Sequence, residues 1–341
     1  MSLTHTLLAG DVGGTKTLLG VFTSNGHRPT SRVIARYSTR DYEDVDTALT
    51  TFLHQHAEGL NFDAAVFGVA GPVRGEACNL TNVPWRVESA RIAHLLKVAP
   101  TRVRLLNDLE AMGYAVPVVQ PDELATLQSG HPDPIGNAAL IAPGTGLGEC
   151  VLHRVDGRFR STAGEPGHTD FAPRTNAEVA FLQRSIERFG RASWEHVLSG
   201  TGLTAMHTFM HDGATCDGVP QGPSPPLPEE ISASAMQHRC SRCVDTLELF
   251  VGTLGAEAGN LALRALATAG VYIAGGIVPN ILPALESETF MAAFRAKAPM
   301  EQLMADLPLH VVLTAHPALL GAAVVAADLA ESAVSKPPHT L

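Results

Sequence analysis

The sequence predicts an α/β protein folded as two lobes. The chain of 341 residues is long enough for two domains with sizeable cores, and 45% of its residues are apolar while 17% are charged. Short apolar runs typical of strands alternate with segments of helical periodicity. One arrangement, an apolar strand, a glycine-rich turn and a second apolar strand, occurs twice, in residues 7–22 and 138–152. This duplication favours two lobes over a single open sheet.

The first copy, LLAGDVGGTKTLLGVF, interrupts a predicted hairpin with an aspartate and two glycines. Gly13 and Gly14 leave backbone N–H groups unshielded, an arrangement that holds phosphate oxygens, and Thr15 adds a hydroxyl donor. Asp11 would repel phosphate unless a divalent cation lay between them, which is the usual role of a carboxylate beside a triphosphate. A plain hairpin turn is the alternative, and the second copy, PGTGLG, argues against it.

Two familiar nucleotide-binding motifs do not match these turns. A G-x-x-x-x-G-K-[ST] loop that started at Gly10 would require glycine where Thr15 stands. A G-x-G-x-x-G fingerprint that started at Gly144 would end on Glu149. The turns therefore predict a phosphate site of a different kind.

Further strands are predicted in residues 64–73 and 103–109, and the second of these contains the pair Asn107-Asp108. Open α/β sheets bind ligands at the carboxyl ends of their strands, so Asp108 is placed where a catalytic carboxylate would lie. By local pattern alone, Asn-Asp after a strand is more often a turn or a helix N-cap. The local sequence leaves both readings open.

Two helices and one loop are predicted in the second half of the chain. Residues 178–189 place Val179, Leu182, Ile186 and Phe189 on one stripe, which predicts an amphipathic helix with that face buried. Residues 243–270 form a long helical run with two glycines one turn apart, which predicts close packing against a neighbouring backbone. Residues 218–230 contain five prolines and are predicted to form an exposed loop without regular structure.

Composition narrows the possible partners and the compartment. The formal net charge of −10 argues against a nucleic-acid or membrane-surface protein, because either would require a basic face. No uninterrupted apolar segment is long enough to span a membrane, and no signal peptide is recognisable. The five cysteines are few and scattered, which favours a reducing, cytoplasmic location.

Three pairs of residues have the spacing of metal ligands. Cys240 and Cys243 have the spacing of half a zinc site or of a redox pair, but no second pair follows, and we interpret them as structural thiols. His207 and His211 lack the glutamate of a metalloprotease helix. The E-x-x-H pair of residues 165–168 contains Pro-Gly, which makes a di-iron helix improbable.

Six ordered motifs together resemble the bacterial glucokinase family, which belongs to the sugar-kinase, heat-shock-protein-70 and actin superfamily. These motifs are GDVGGTK, LLNDLEA, PGTGLGE, GEPGHTDFAP, WEHVLSGTGL and VYIAGGIVP, and the resemblance covers about residues 5–330. It implies a two-lobed actin-like (ribonuclease-H-like) α/β ATPase fold with a deep interdomain cleft. The expected lobes are a small one of residues 1–117 with 322–341 and a large one of residues 118–321.

The resemblance also implies roles for individual residues. Asp108 matches the family's catalytic base, and the residues matching its sugar ligands are Asn107, Asp108, Glu165, His168 and Glu195. The residues matching its nucleotide-binding segments are Gly10, Asp11, Val12, Gly13, Gly14, Thr15, Gly144, Thr145, Gly146, Gly275 and Gly276. Asp11 is expected to hold Mg²⁺, through water.

The implied activity is that of a glucokinase, which transfers the γ-phosphate of Mg-ATP to the C6 hydroxyl of glucose as the first step of glycolysis. The expected cofactors are ATP and Mg²⁺, and the expected assembly is a homodimer. Two alternatives stay open: a kinase for mannose, fructose or an amino sugar, and a non-catalytic sugar-sensing protein. The sensor is disfavoured because the chain retains Asp108 and both glycine turns.

Overall fold

The computed structural model describes residues 3–26, 28–222 and 224–334. Its strands are β1 (His5–Val12), β2 (Lys16–Ser24), β3 (Thr30–Ser38), β4 (Ala64–Val69), β5 (Val73–Arg74), β6 (Ala77–Asn79), β7 (Arg86–Glu88), β8 (Val103–Asn107), β9 (Leu124–Gln128), β10 (Ala138–Pro143), β11 (Leu147–Val155), β12 (Arg158–Ala163), β13 (Gly270–Ile273) and β14 (Leu309–Val312). Its α-helices are α1 (Val45–His56), α2 (Ser89–Leu96), α3 (Asp108–Ala115), α4 (Asn176–Phe189), α5 (Trp194–Val197), α6 (Gly200–His211), α7 (Pro228–Met236), α8 (Ser241–Ala265), α9 (Leu282–Leu285), α10 (Glu288–Arg295), α11 (Glu301–Asp306) and α12 (Pro317–Val334). Short 3₁₀ helices cover Thr39–Asp41, Pro100–Arg102, Val116–Val118, Pro121–Glu123, Pro166–His168 and Val278–Ile281.

The contacts between residues divide the chain into two compact units. The first consists of Met1–Gln120 with Thr314–Leu341, and the second of Pro121–Leu313. These limits differ from the predicted domain bounds at residues 118–120 and 314–321. Helix α12 runs without interruption from Pro317 to Val334 and packs on α3, β1 and β4, so a boundary at residue 322 would cut a single packed helix. The bounds of the domains stay a prediction.

The first unit is built on a five-stranded sheet in the order β3-β2-β1-β4-β8. Strands β1, β2 and β3 form an antiparallel meander, and β1, β4 and β8 are parallel. The predicted hairpin around the first glycine turn is therefore confirmed. Because β1, β4 and β8 are parallel neighbours, their carboxyl ends lie at the same edge of the sheet.

Both faces of this sheet are covered by helices, as expected for strands that are apolar throughout. One face, which includes Leu7 and Val66, packs against α3 and α12. The other face, which includes Leu8 and Phe67, packs in the core that contains α1 and α2 residues. A separate three-stranded antiparallel sheet, in the order β5-β6-β7, completes the unit.

The second unit repeats the plan with a six-stranded sheet in the order β12-β11-β10-β13-β14-β9. Strands β10, β11 and β12 are an antiparallel meander, and β10, β13 and β14 are parallel. The predicted second copy of strand, glycine turn and strand is thereby confirmed as β10 and β11. The edge strand β9 is antiparallel to β14.

Helix α8 is the central helix of the second unit. A Cβ atom added at Gly255 would meet the carbonyl oxygen of Phe290, and one added at Gly259 would lie 2.6 Å from the carbonyl oxygen of Phe294. The predicted close approach at these glycines is confirmed, and the partner is α10. The helix ends at Ala265 rather than at residue 270, because Leu266 adopts a left-handed conformation with φ 47°.

Two other predictions are wrong in part. Helix α4 forms, but the predicted stripe is largely exposed: the exposed fractions of Val179, Ile186 and Phe189 are 41%, 45% and 43%. The buried positions of this helix include Glu178 and Phe181 instead. In the segment 218–230, the last residues belong to α7, and Gly218 and Val219 are buried. Among the described residues, no helix has the length and apolar character needed to cross a membrane.

Candidate active site

The first glycine turn connects β1 to β2 and is held in shape by a neighbouring threonine. Gly13 N donates to Lys16 O at 3.0 Å, which closes the turn. The Thr39 hydroxyl donates to Gly13 O at 2.7 Å, and Thr39 N donates to Thr15 O at 3.1 Å. With these carbonyl groups bonded on one side, the turn is fixed before any ligand arrives.

Gly10 on β1 and Gly14 in the turn leave no room for side chains. A Cβ atom at Gly14 would lie 2.6 Å from the Cβ of Asn82, and one at Gly10 would run into the ring of Phe67. Asp11 precedes the turn on β1 and is partly buried. Burial raises the pKa of Asp11, and the charge of Lys16 offsets part of that rise. A cation close to this carboxylate would stabilise its ionised form.

Asn107 and Asp108 lie where β8 ends and α3 begins. Asn107 is the N-cap, and its side-chain oxygen accepts from Leu109 N at 2.9 Å and from Glu110 N at 3.4 Å. The helix-cap reading of this pair is therefore correct for Asn107. Asp108 is the first helical residue and accepts from Leu109 N at 3.0 Å.

Asp108 lies at the same sheet edge as the first glycine turn. Asp11 pairs with Gly68 in the register of β1 and β4. A Cβ atom at Gly68 would lie 3.5 Å from the Cα of Asp108 and 3.8 Å from Gly10 O. The parallel strands thus bring Asp11 and Asp108 to one edge, although the sequence separates them by almost one hundred residues.

The second glycine turn, between β10 and β11, forms one wall of a cavity in the second unit. Gly144 N donates to Gly146 O at 2.8 Å, and Gly144 O accepts from Gly200 N at 2.8 Å. The cavity has a volume of about 330 Å³. The lining residues are Gly144, Thr145, Gly200, Thr201, Pro228, Glu229, Ser232, Gly276, Ile277 and Asn280.

This cavity brings together two predicted nucleotide segments and adds residues that sequence reasoning missed. Gly275 has a φ of 102° and directly precedes Gly276, which lines the cavity. A Cβ atom placed at Gly276 would have no other atom within 4 Å. Gly200 and Thr201 open helix α6, whose N-terminus carries partial positive charge and suits an anion. Gly200 and Thr201 belong to the SGTG of the WEHVLSGTGL motif, which repeats the Gly-Thr-Gly of residues 144–146.

Glu165, His168 and Glu195 form a second group of side chains in the same unit. His168 lies between the two carboxylates, with Nε2 3.9 Å from Glu165 Oε2 and Nδ1 3.9 Å from Glu195 Oε1. Pro166–His168 is a short 3₁₀ helix, which excludes the α-helix that a di-iron motif would need. The three side chains are all at least one third exposed, as groups that meet a solvated sugar must be.

Glu195 also contacts the second glycine turn. Its Oε2 accepts from Leu147 N at 3.1 Å, and a Cβ atom at Gly146 would collide with the same oxygen. Ser193 caps the helix that carries Glu195, and Ser199 Oγ donates to Glu195 O at 2.7 Å. The side chain therefore links the turn that lines the cavity to the loop of His168.

This arrangement has two kinds of chemistry available in one unit. The cavity offers backbone groups and a helix N-terminus to an anion, and the carboxylates offer acceptors to several hydroxyl groups. The fold is that of a sugar kinase. Solved structures with this fold include the crystal structure of glucokinase from an Antarctic psychrotroph, with TM-score 0.80, 26% identity, and coverage of 95% of this chain and 99% of that one.

Comparison with known sequences also finds glucokinases, at a higher sequence identity than the solved structure. The family model described as Glucokinase matches residues 8–329. A glucokinase of Synechocystis sp. is 36% identical over 94% of this chain and 98% of its own length, and one of Chromobacterium violaceum is 37% identical over 94% and 89%. The chain belongs to the glucokinase family.

These findings confirm the family, the actin-like α/β fold and the enzyme class predicted from the sequence, an ATP-dependent hexose kinase. The roles of the individual site residues stay predictions. Within each unit, however, the residues expected to act together lie together.

Proposed function

We propose that this protein transfers the γ-phosphate of ATP to the C6 hydroxyl of glucose, giving glucose 6-phosphate and ADP. The observation that carries the proposal is the contact between Glu195 and the second glycine turn. It joins a loop suited to phosphate to a group of acceptors suited to sugar hydroxyls. The names of the relatives, all glucokinases, support glucose as the sugar.

In this proposal Asp108 is the general base. It would accept the proton of the C6 hydroxyl as that oxygen attacks the γ-phosphorus, with ADP as the leaving group. Asn107 holds the start of α3 in place through its N-cap bonds, and this fixes the backbone of Asp108. Glu165, His168 and Glu195 would bind and orient other hydroxyls of the sugar.

Mg²⁺ fits the first glycine turn. Asp11 offers the hard oxygen ligand that Mg²⁺ prefers, and Mg²⁺ is commonly held by one carboxylate together with substrate phosphates. The burial that raises the pKa of Asp11 would be offset by a cation beside it. When bound, Mg²⁺ neutralises charge on the phosphates, while the turn of Gly13 and Gly14 supplies backbone N–H donors.

Several wider assignments belong to the same proposal. We place the enzyme in the cytoplasm at the first step of glycolysis, as a homodimer. In this proposal the two compact units are the small and large lobes of the family fold.

The proposal is tested by measuring ADP release with Mg²⁺, ATP and one sugar at a time. The panel contains glucose, mannose, fructose, N-acetylglucosamine and a no-sugar control. We expect the highest kcat/KM with glucose and little ADP release without sugar. If another hexose gave a higher kcat/KM, that hexose and not glucose would be the substrate. Sugar binding without any ADP release would indicate a sensor.

The role of Asp108 is tested in the same assay by Asp108→Asn. This variant keeps the shape of the side chain and removes its basicity, so kcat should fall by about 10²–10⁴-fold. Turnover close to that of the wild type would rule Asp108 out as the base.

A further inference from the structure

Five sulfur and imidazole side chains that the proposed reaction does not use meet in the second unit. His207 and His211 lie one turn apart on α6, and Cys216 lies in the loop that follows. Cys240 is the N-cap of α8, and Cys243 lies in its first turn. The sequence keeps these segments apart, so Cys240-x-x-Cys243 by itself indicates only half a site.

The distances between these side chains are those of ligands around one small cation. The ligand atoms of His207, His211, Cys216 and Cys243 all lie within 4.8 Å of one another. Cys216 Sγ is 3.5 Å from Cys243 Sγ, and Cys240 Sγ is 3.5 Å from His211 Nε2. Cys240 thus joins the group through its contact with His211.

These separations match a tetrahedral zinc site. Zn–S bonds of about 2.3 Å and Zn–N bonds of about 2.0–2.1 Å place sulfur ligands about 3.8 Å apart, and sulfur and nitrogen ligands about 3.6 Å apart. Both observed distances of 3.5 Å agree with these edges. A disulfide would need only two of the sulfurs at about 2.05 Å and would leave the third thiol and the imidazole without a role.

His211 is oriented as a metal ligand. Its Nδ1 is 2.8 Å from the carbonyl oxygen of His207. A carbonyl can only accept, so Nδ1 must carry the proton, and Nε2 of the neutral ring then presents its lone pair towards Cys240. A backbone carbonyl on the outer nitrogen is the usual way in which a protein fixes a ligating histidine.

His207 is a buried neighbour of this cluster. Its side chain is 6% exposed and stacks on the ring of His211, with ring centroids 3.9 Å apart. Within the described residues, its Nε2 is buried without a hydrogen-bond partner. Its ligand atom lies within 4.8 Å of those of His211, Cys216 and Cys243, so His207 borders the site without being one of its four ligands.

We propose that Cys216, Cys240, Cys243 and His211 bind one zinc ion, with His207 packed beside it. Three thiolates and Zn²⁺ carry a net charge of −1, and Arg242 lies next to this charge, with its guanidinium donating to His211 O at 2.5 Å. Four protein ligands leave no open position, so the site is structural and not catalytic.

The zinc site would hold in place two of the helices that line the cavity at the second glycine turn. It joins α6, the proline-containing loop and the start of α8, and Gly200 and Thr201 at the other end of α6 line the cavity. The same loop leads into α7, which contributes Pro228 and Ser232 to the cavity. This gives the proline-rich segment a role, because the ion holds it between two cavity-lining helices.

The test uses the full-length chain purified under reducing conditions. Metal content is measured by mass spectrometry, and the metal-free protein is then titrated with Co²⁺. We expect about one zinc per chain as isolated, and intense visible bands of tetrahedral cobalt with thiolate charge transfer on titration. Neither readout depends on kinase activity, so the proposed function and the zinc site can fail separately.

Two variants make the test specific. Cys240→Ser should lower zinc affinity by at least about tenfold, and Cys150→Ala, which removes a buried cysteine of the same unit outside the cluster, should leave it unchanged. Full zinc retention in Cys240→Ser would overturn the proposal. Reduced wild-type protein that holds no zinc and gives no tetrahedral cobalt spectrum would overturn it too, and so would a Cys216–Cys243 disulfide in peptide mapping.

Discussion

Replacing Gly146 by alanine should weaken glucose binding without unfolding the protein. The added methyl group would clash with Glu195 Oε2 and lie 3.2 Å from the carboxylate carbon. Glu195 is the flexible partner in this contact, because its side chain is 34% exposed and can swing outward. In doing so it would lose the 3.1 Å bond from Leu147 N and leave the side of His168.

The magnitude follows from the hydrogen bond that the sugar would lose. A hydrogen bond to a charged group contributes about 1.5–3 kcal/mol, which corresponds to roughly a 10- to 150-fold change in a binding constant. Glu195 is expected to hold the sugar equally before and during transfer, so KM for glucose should rise by this factor while kcat changes little.

The assay is the initial rate against glucose concentration at saturating ATP, with Gly144→Ala as the matched control. Gly144 belongs to the same turn, but a Cβ there would have its nearest neighbour at 4.0 Å. Gly144→Ala should leave KM for glucose within about twofold of the wild-type value. An unchanged KM in Gly146→Ala, or equal effects of the two substitutions, would refute the link between this turn and the sugar loop.

Three further predictions concern stability. Gly275→Ala should destabilise the protein by about 1–3 kcal/mol, because φ at this position is 102° and the new Cβ would meet the backbone of β10. Gly276→Ala is the control: its Cβ would have no atom within 4 Å, so the substitution should cost less than about 0.5 kcal/mol. Equal melting temperatures of the two variants would contradict this prediction. Gly321→Ala should lower the free energy of unfolding by about 1–3 kcal/mol, because its Cβ would collide with Ala111 O and force α12 away from α3. Since α3 begins at Asp108, kcat should fall as well. Wild-type stability in this variant would show that the two helices are not in this contact. Burial raises the pKa of Glu149 from 4.5 to about 8, so between those pH values the folded state holds a proton that the unfolded state has lost, and wild-type stability falls as pH rises. The melting temperature of Glu149→Gln relative to wild type should therefore increase from pH 5 to pH 8, and a difference independent of pH would refute the assignment.

The sequence was sufficient for the two hairpins and for their glycine turns. Hairpins β1–β2 and β10–β11 were predicted because fully buried strands are continuous apolar runs and because paired glycines mark turns. The identity of the site residues came from six motifs that carry recognisable chemistry. Each of these signals lies within one short segment of the chain, so it can be recognised from the sequence without knowledge of the fold.

The orientation of α4 could not be predicted from apolar periodicity. The helix turns Glu178 inward, where its carboxylate pairs with the Arg174 guanidinium at 2.8 Å and takes part in a capping box with Thr175. This polar anchor, together with Phe181, leaves Val179 and Ile186 outside. Tertiary partners decided which face is buried, and those partners lie elsewhere in the sequence.

Parts of the cavity wall and the metal cluster were missed for the same reason. Thr201 and Ser232 line the cavity from helices α6 and α7. Thr201 lies in a Gly-Thr-Gly whose position at the cavity depends on the fold, and Ser232 has no local motif that marks it. Cys216 and Cys243 are brought to 3.5 Å by the packing of a loop against α8. Spacing rules find ligands that share one segment, and this cluster takes its ligands from three.

The most direct test of the central claim is the formation of glucose 6-phosphate, detected through glucose-6-phosphate dehydrogenase, in the presence of protein, Mg-ATP and glucose. The account predicts product formation that requires both ATP and glucose, and that falls by about 10²–10⁴-fold in Asp108→Asn. ATP consumption without glucose 6-phosphate, or equal product formation by Asp108→Asn, would contradict it.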